Sequence, residues 1–116
     1  MKRVIVVDDD KDSRDALSDI LEFKGVNVVG KAINGYDAVQ KFSKYHPDVV
    51  LMDMMMPQYD GFYGFEHIKN IDSNAKIIII TADQTEETRA KLKKMDHKLI
   101  LLKPIDTDKL VQMINE

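Results

Sequence analysis

The sequence contains no cysteine and no tryptophan, only three prolines and five glycines among 116 residues, and no apolar run approaching membrane-spanning length. Without cysteine there is no disulfide framework and no thiolate metal site. Without a long apolar run or a signal-like start there is no membrane span to place, and a cytoplasmic protein is expected. An excess of positive charge is also missing. Seventeen basic against twenty acidic side chains leave a net charge of -3, which argues against nucleic-acid binding through bulk electrostatics. Any partner must be met by a local surface. The three histidines, His46, His67 and His97, lie far apart and form no metal-ligand spacing. No repeat, low-complexity tract or flexible linker marks an internal boundary. What is present is 44% hydrophobic residues, enough for one domain with a core, taken as residues 1–116.

Five short apolar runs supply that core: Val4 to Val7, Val26 to Val29, Val49 to Met52, Ile77 to Ile80 and Leu99 to Leu102. They are nearly continuous and mostly β-branched, as strands buried on both faces of a parallel sheet read. Segments of helical spacing lie between them. The first carries Leu17, Ile20 and Leu21, with Asp12 as a cap and Gly25 placed to end it in a left-handed conformation. The second follows Asn34-Gly35, puts Ala38, Val39, Phe42 and Tyr45 on one side and stops at Pro47. The third, after Gly61, presents Phe65, Ile68 and Ile71, with Gly64 costing about 1 kcal/mol of helix propensity. The fourth begins at Thr85, has Glu86 and Glu87 in its first turn and lysines near its end, and shows a thin apolar face. The last runs from about Asp106 with Leu110, Val111 and Ile114 inward. Five strands alternating with five helices predict a (βα)5 α/β fold: a doubly wound, five-stranded parallel sheet in the flavodoxin-like order 2-1-3-4-5.

In such sheets ligands sit beyond the carboxyl ends of the strands. Here strand one ends in Asp8-Asp9-Asp10, strand three in Asp53, strand four in Thr81-Ala82-Asp83 and strand five in Lys103-Pro104. The predicted order brings the carboxylates of strands one and three into one pocket, with Thr81 and Lys103 entering from the side. Clustered carboxylates repel, so one is protonated or a cation sits among them. An all-oxygen site without His or Cys suits Mg2+. A carboxylate can also act as nucleophile toward phosphorus, with Mg2+ and a lysine neutralising the transferring group.

The segments VVDDD, LMDMMMPQYDG, IIIITAD and LLKP at the four strand ends, with GKAINGYDAV around the second helix, closely resemble the receiver domain of two-component response regulators over essentially the whole chain. The resemblance implies that Asp53 is the phosphoacceptor and that Asp8, Asp9, Asp53 and the backbone carbonyl of Met55 hold Mg2+. It implies that Thr81 binds the phosphoryl group and Lys103 pairs with it, and that the Lys103-Pro104 peptide is often cis. The donor would be a phosphohistidine of a sensor histidine kinase or phosphotransfer protein. The output would be contact with a downstream protein, as in stand-alone chemotaxis regulators, and the chain would act on no external substrate as an enzyme. Two departures stand out: Ile100 occupies a position usually aromatic, and Asp96-His97 replaces a common Gly-Ala pair. Met55 and Asp83 hold positions that tune loss of the phosphoryl group in the family.

Blander readings exist for each residue alone. Asp8 to Asp10 could be a solvated helix approach, Asp53 could satisfy loop amides, and Lys103 and Thr81 could be ordinary surface and strand residues. They are credible singly and poor jointly. Arg89, Lys91, Lys93, Lys94 and Lys98 read as a solvated helix face, and Met54, Met55 and Met56 as adaptable packing. Two other functions compete with the switch. A haloacid-dehalogenase-like phosphatase would use Asp8 in Asp8-Asp9-Asp10, but it leaves Asp53 unexplained. A receiver-like scaffold would work without phosphorylation.

Overall fold

The computed structural model describes residues 1–82, 85–94 and 99–116. The elements alternate as β1 (Arg3–Val7), α1 (Lys11–Phe23), β2 (Asn27–Ala32), α2 (Gly35–Tyr45), β3 (Val49–Asp53), α3 (Gly61–Ile71), β4 (Lys76–Thr81), α4 (Glu86–Lys94), β5 (Ile100–Leu102) and α5 (Thr107–Asn115). All the strands run parallel in the order β2-β1-β3-β4-β5, as the strand–helix alternation predicts. Period-two alternation splits each central strand between two clusters. Ile5, Val50, Met52, Ile77 and Ile79 pack under α2 and α3 with Ala38, Phe42, Phe65 and Ile68. Val4, Val6, Leu51, Ile78 and Ile80 face α1 and α5 with Leu21, Leu110 and Ile114. A run that is apolar throughout is therefore needed, because each face carries its own core.

The edge strands depart from that expectation. Val28 and Val29 of β2 are only half-buried, and Ile100 and Leu102 of β5 are exposed, since each strand has a neighbour on one side only. Strand β2 also reaches beyond the apolar run, to Ala32, by way of a register shift opposite Val4 and Ile5. Gly30 there leaves room for the Tyr45 ring, which a Cβ would meet at 3.3 Å.

Helix α1 starts two residues earlier than a cap at Asp12 would put it. Asp10 is the cap, accepting from the Ser13 amide at 3.2 Å and the Ser13 hydroxyl at 2.6 Å, while Asp12 lies in the first turn. Its inward stripe runs through Ser18 and Leu21, and Ile20 is exposed. Ser18 tolerates burial because its hydroxyl donates to the Arg14 carbonyl at 2.7 Å. Gly25, at φ +87°, ends the helix region as expected. Asn34 caps α2 and His46 closes it in the left-handed conformation just before Pro47. Asp60 caps α3 and Asp106 caps α5. Ile71 is exposed rather than inward, because α3 ends at that residue and its last turn runs past the core. Gly64, which weakens α3 by propensity, is where α3 meets α2: a Cβ there would lie 2.6 Å from Met52 Cε and 3.2 Å from Gly35 Cα. Close packing against the sheet and α2 outweighs the propensity loss. No helix among the described residues is long and apolar enough to cross a membrane.

Candidate functional site

The parallel register delivers the acidic strand ends to one place. Val7 is paired with Met52, so the next residue of each strand, Asp8 and Asp53, emerges at the same level. Asp8 continues the sheet by one step, its amide donating to the Ala32 carbonyl at 3.0 Å. One oxygen each from Asp8, Asp9 and Asp53 lies within 4.8 Å of the others. Asp53 is 7% exposed, Asp8 is half-buried and Asp9 is exposed, so the cluster grades from sheet to solvent. On the other side, Lys103 Nζ stands 3.3 Å from Asp53 Oδ2. The Lys103 amide donates to the Thr81 carbonyl at 3.0 Å, which fixes the lysine beside the end of β4. Thr81 is 1% exposed and is paired with Leu102, the residue before Lys103. The Lys103-Pro104 peptide is cis.

These contacts have electrostatic consequences. Burial pushes the Asp8 carboxyl above its ordinary range, and the Asp53 and Asp9 charges add to the rise; the Asp10 amide, donating to Asp8 Oδ1 at 3.0 Å, and the Lys103 ammonium oppose it. One lysine does not balance three carboxylates. The donor set is all oxygen, partly buried and open on the Asp9 side, which fits a hard divalent cation that keeps several waters. Met55 contributes its amide to Asp53 Oδ1 at 3.4 Å, and its side chain is 60% exposed. The expectation of three packing methionines therefore holds for Met54 and Met56, which are buried, and fails for Met55, which the turn after Asp53 aims outward.

The sequence reading missed two participants. Arg14 Nη1 donates to the Asp8 carbonyl at 2.8 Å and so clips α1 to the end of β1. An arginine one turn into the helix after the acidic run was the available signal. Gly61 lies so close to the loop that a Cβ would sit 2.5 Å from the Asp53 carbonyl oxygen. Asp10 is engaged as the α1 cap, its carboxylate turned to the Ser13 amide and hydroxyl. Arg89, Lys91, Lys93 and Lys94 are exposed, as a solvated face requires, and Ile100 is exposed beside Ile79. Asp83, Asp96, His97 and Lys98, singled out in the sequence, lie outside the described residues.

Comparison with known proteins extends the geometry. Residues 4–115 match the family described as the response regulator receiver domain. The chain is 36% identical over 115 residues to a chemotaxis protein CheY of Thermotoga maritima, covering 99% of this chain and 96% of the relative. It is 35% identical over 114 residues to the CheY of Bacillus subtilis, covering 98% and 95%. Among solved structures, the CheX-CheY-BeF3-Mg2+ complex from Borrelia burgdorferi superposes with a TM-score of 0.86 at 30% identity, over 97% of this chain and 86% of that one.

Proposed function

Because the chain belongs to the response regulator receiver family and is a phosphoacceptor signalling switch of that kind, we propose that Asp53 is the residue that takes the phosphoryl group. The observation that carries this is the setting of Asp53: a nearly buried carboxylate at a central strand end, one oxygen on a lysine and its neighbours acidic. A carboxylate oxygen of Asp53 attacks the phosphorus of a phosphohistidine on a sensor kinase or phosphotransfer protein. The new O–P bond forms as the P–N bond breaks, and the electron pair returns to the imidazole nitrogen, which takes up a proton. Lys103 moves its charge from the carboxylate to the phosphoryl oxygens, and the Thr81 hydroxyl donates to the same group. Asp8, Asp9, Asp53 and the Met55 backbone carbonyl are the residues that would hold Mg2+, which when bound offsets the carboxylate repulsion and the charge on the phosphoryl oxygens.

Residues 1–116 act on this reading as one cytoplasmic receiver domain. It serves no external substrate and changes affinity for a downstream protein rather than for nucleic acid or membrane. Incubation with Mg2+ and acetyl phosphate, followed by intact mass measurement, tests the assignment. A phosphoryl adduct is expected for the wild type and not for Asp53→Asn. An adduct kept in Asp53→Asn and lost in Asp8→Asn would transfer the role to Asp8. The absence of adduct in folded wild type would leave a phosphorylation-independent scaffold.

A further inference from the structure

Helix α4 is poorly equipped to close the layer it belongs to. Thr88 and Leu92 are its buried residues, and its remaining positions are small, charged or polar. Helix α3 commits its glycine face to α2 and the sheet, and turns Phe62, Phe65, Glu66 and Lys69 toward α4. The result is a groove of about 500 Å3 between the two helices, open to solvent, in which two aromatic rings lie among charged and polar side chains. Phe65 is buried in its floor and Phe62 is half-buried. Each ring lies beneath an ammonium group: Lys91 Nζ is 5.3 Å from the Phe62 centroid, and Lys69 Nζ is 5.6 Å from that of Phe65.

We propose that this groove is a docking site for an acidic, amphipathic helical segment of a protein partner. Charge decides the sign of the occupant. In a chain of net charge -3, the groove sets Lys69, Lys91 and Lys94 beside Glu66 and Asp60; Asp60 accepts from the Tyr63 amide and Lys69 Nζ donates to the Ala75 carbonyl at 2.6 Å, so Lys91 and Lys94 are the ammonium groups left to meet a ligand. Lys91 reaches Glu87 only at 3.7 Å between two exposed side chains, a pairing worth little, and Lys94 has no carboxylate partner among the described residues. The two lysines stand one turn apart on α4, a spacing that brackets carboxylates on a facing chain. Shape decides between a segment and a small molecule. Pockets that hold small ligands enclose most of the ligand surface. This groove is open, and one of its walls is the i, i+3, i+4, i+7 stripe of a helix, against which apolar residues at the same spacing can pack.

The test is a two-dimensional amide NMR titration of the full chain with three 12-residue probe peptides. All carry leucine and phenylalanine at i, i+3, i+4 and i+7, and the other positions are glutamate, glutamine or lysine. The glutamate peptide is expected to give saturable shifts confined to residues 62–70 and 91–94. Its affinity should exceed that of the glutamine peptide at least tenfold and fall at least tenfold in Lys91→Glu/Lys94→Glu, both exposed positions. Phe62→Ala, checked for folding by circular dichroism, should weaken it as well. Shifts elsewhere, equal binding of the lysine peptide, or an unchanged affinity in the double variant would overturn the proposal. Tighter binding of 2-naphthoate than of the glutamate peptide would overturn the choice of occupant. None of these outcomes depends on phosphorylation of Asp53.

Discussion

Asp8→Asn should make the metal-free protein more stable. Two unit charges 4.8 Å apart repel by about 1 kcal/mol at the dielectric of water and by about 3.5 kcal/mol at an effective dielectric of 20, and the half-buried Asp8 lies between these limits. Burial disfavours the Asp8 charge most; beyond that the charge meets two such partners, Asp53 and Asp9, and gives up one attraction, to Lys103, when neutralised. A net gain of about 1–3 kcal/mol follows. Asparagine retains the oxygen that accepts from the Asp10 amide, so the turn is preserved. The pH dependence has a definite sign. The folded-state pKa of Asp8 is raised above its ordinary 3.8, so as pH rises from there through the folded value the unfolded chain gives up its proton first and the wild type loses stability. The difference between the proteins should therefore open over that window and be complete above it. Urea denaturation in EDTA at low ionic strength measures it, and at about 2.1 cal/mol/K per residue each kcal/mol corresponds to roughly 4 °C in Tm. Excess Mg2+ should narrow or reverse the gap by binding the wild-type folded state more tightly. A lower stability of Asp8→Asn in EDTA, with an unchanged urea slope, would refute the reasoning.

Other outcomes are as specific. Arg14→Met removes the hydrogen bond to the Asp8 carbonyl and should cost about 1 kcal/mol in chemical denaturation, with weaker Mg2+ binding by calorimetry; equal stability and equal affinity would show the clip to be idle. Gly35→Ala should destabilise by about 1–3 kcal/mol, because its Cβ would press on the Asp60 carbonyl oxygen and the Gly64 amide nitrogen, both backbone atoms of the α3 start; a gain in urea midpoint would contradict the close crossing of α2 and α3. Asp15, bonded to Lys11 at 2.8 Å and Lys31 at 3.1 Å, should titrate at about 2 by carboxyl NMR. Its contribution to stability is full above the ordinary carboxylate range and is lost as pH falls through the depressed value. High salt should move that pKa back up, and an ordinary value at low salt would deny both ion pairs.

The fold was legible because burial on both faces demands continuous apolar runs, and such runs are hard to produce by accident. Val49 to Met52 and Ile77 to Ile80 are unambiguous for that reason. Where burial is one-sided the signal weakens: β2 extends through Gly30 and Lys31, which carry no strand pattern, because the partner strand and a register shift hold them. The meeting of Asp8, Asp9, Asp53 and Lys103 was legible once the strand order was known, since register brings strand ends together. Interactions that run from side chain to backbone were not. Asp10 and Asp12 are equally good caps by composition, and only the path of the chain after β1 selects Asp10. The Arg14 bond to a carbonyl oxygen likewise leaves no mark on residue type, because every residue has a carbonyl. Ile20, Ile71 and Met55 show the converse, apolar side chains that helical spacing or composition places inside and the actual ends and turns of the elements leave outside.

The central claim is that Asp53 forms the acyl phosphate, and borohydride reduction addresses it directly. Protein treated with acetyl phosphate and Mg2+, reduced and digested, should yield homoserine at position 53 in peptide mass spectra, with aspartate intact at positions 8 and 9. Homoserine at position 8, or a phosphoryl adduct that leaves position 53 unreduced, would contradict the account.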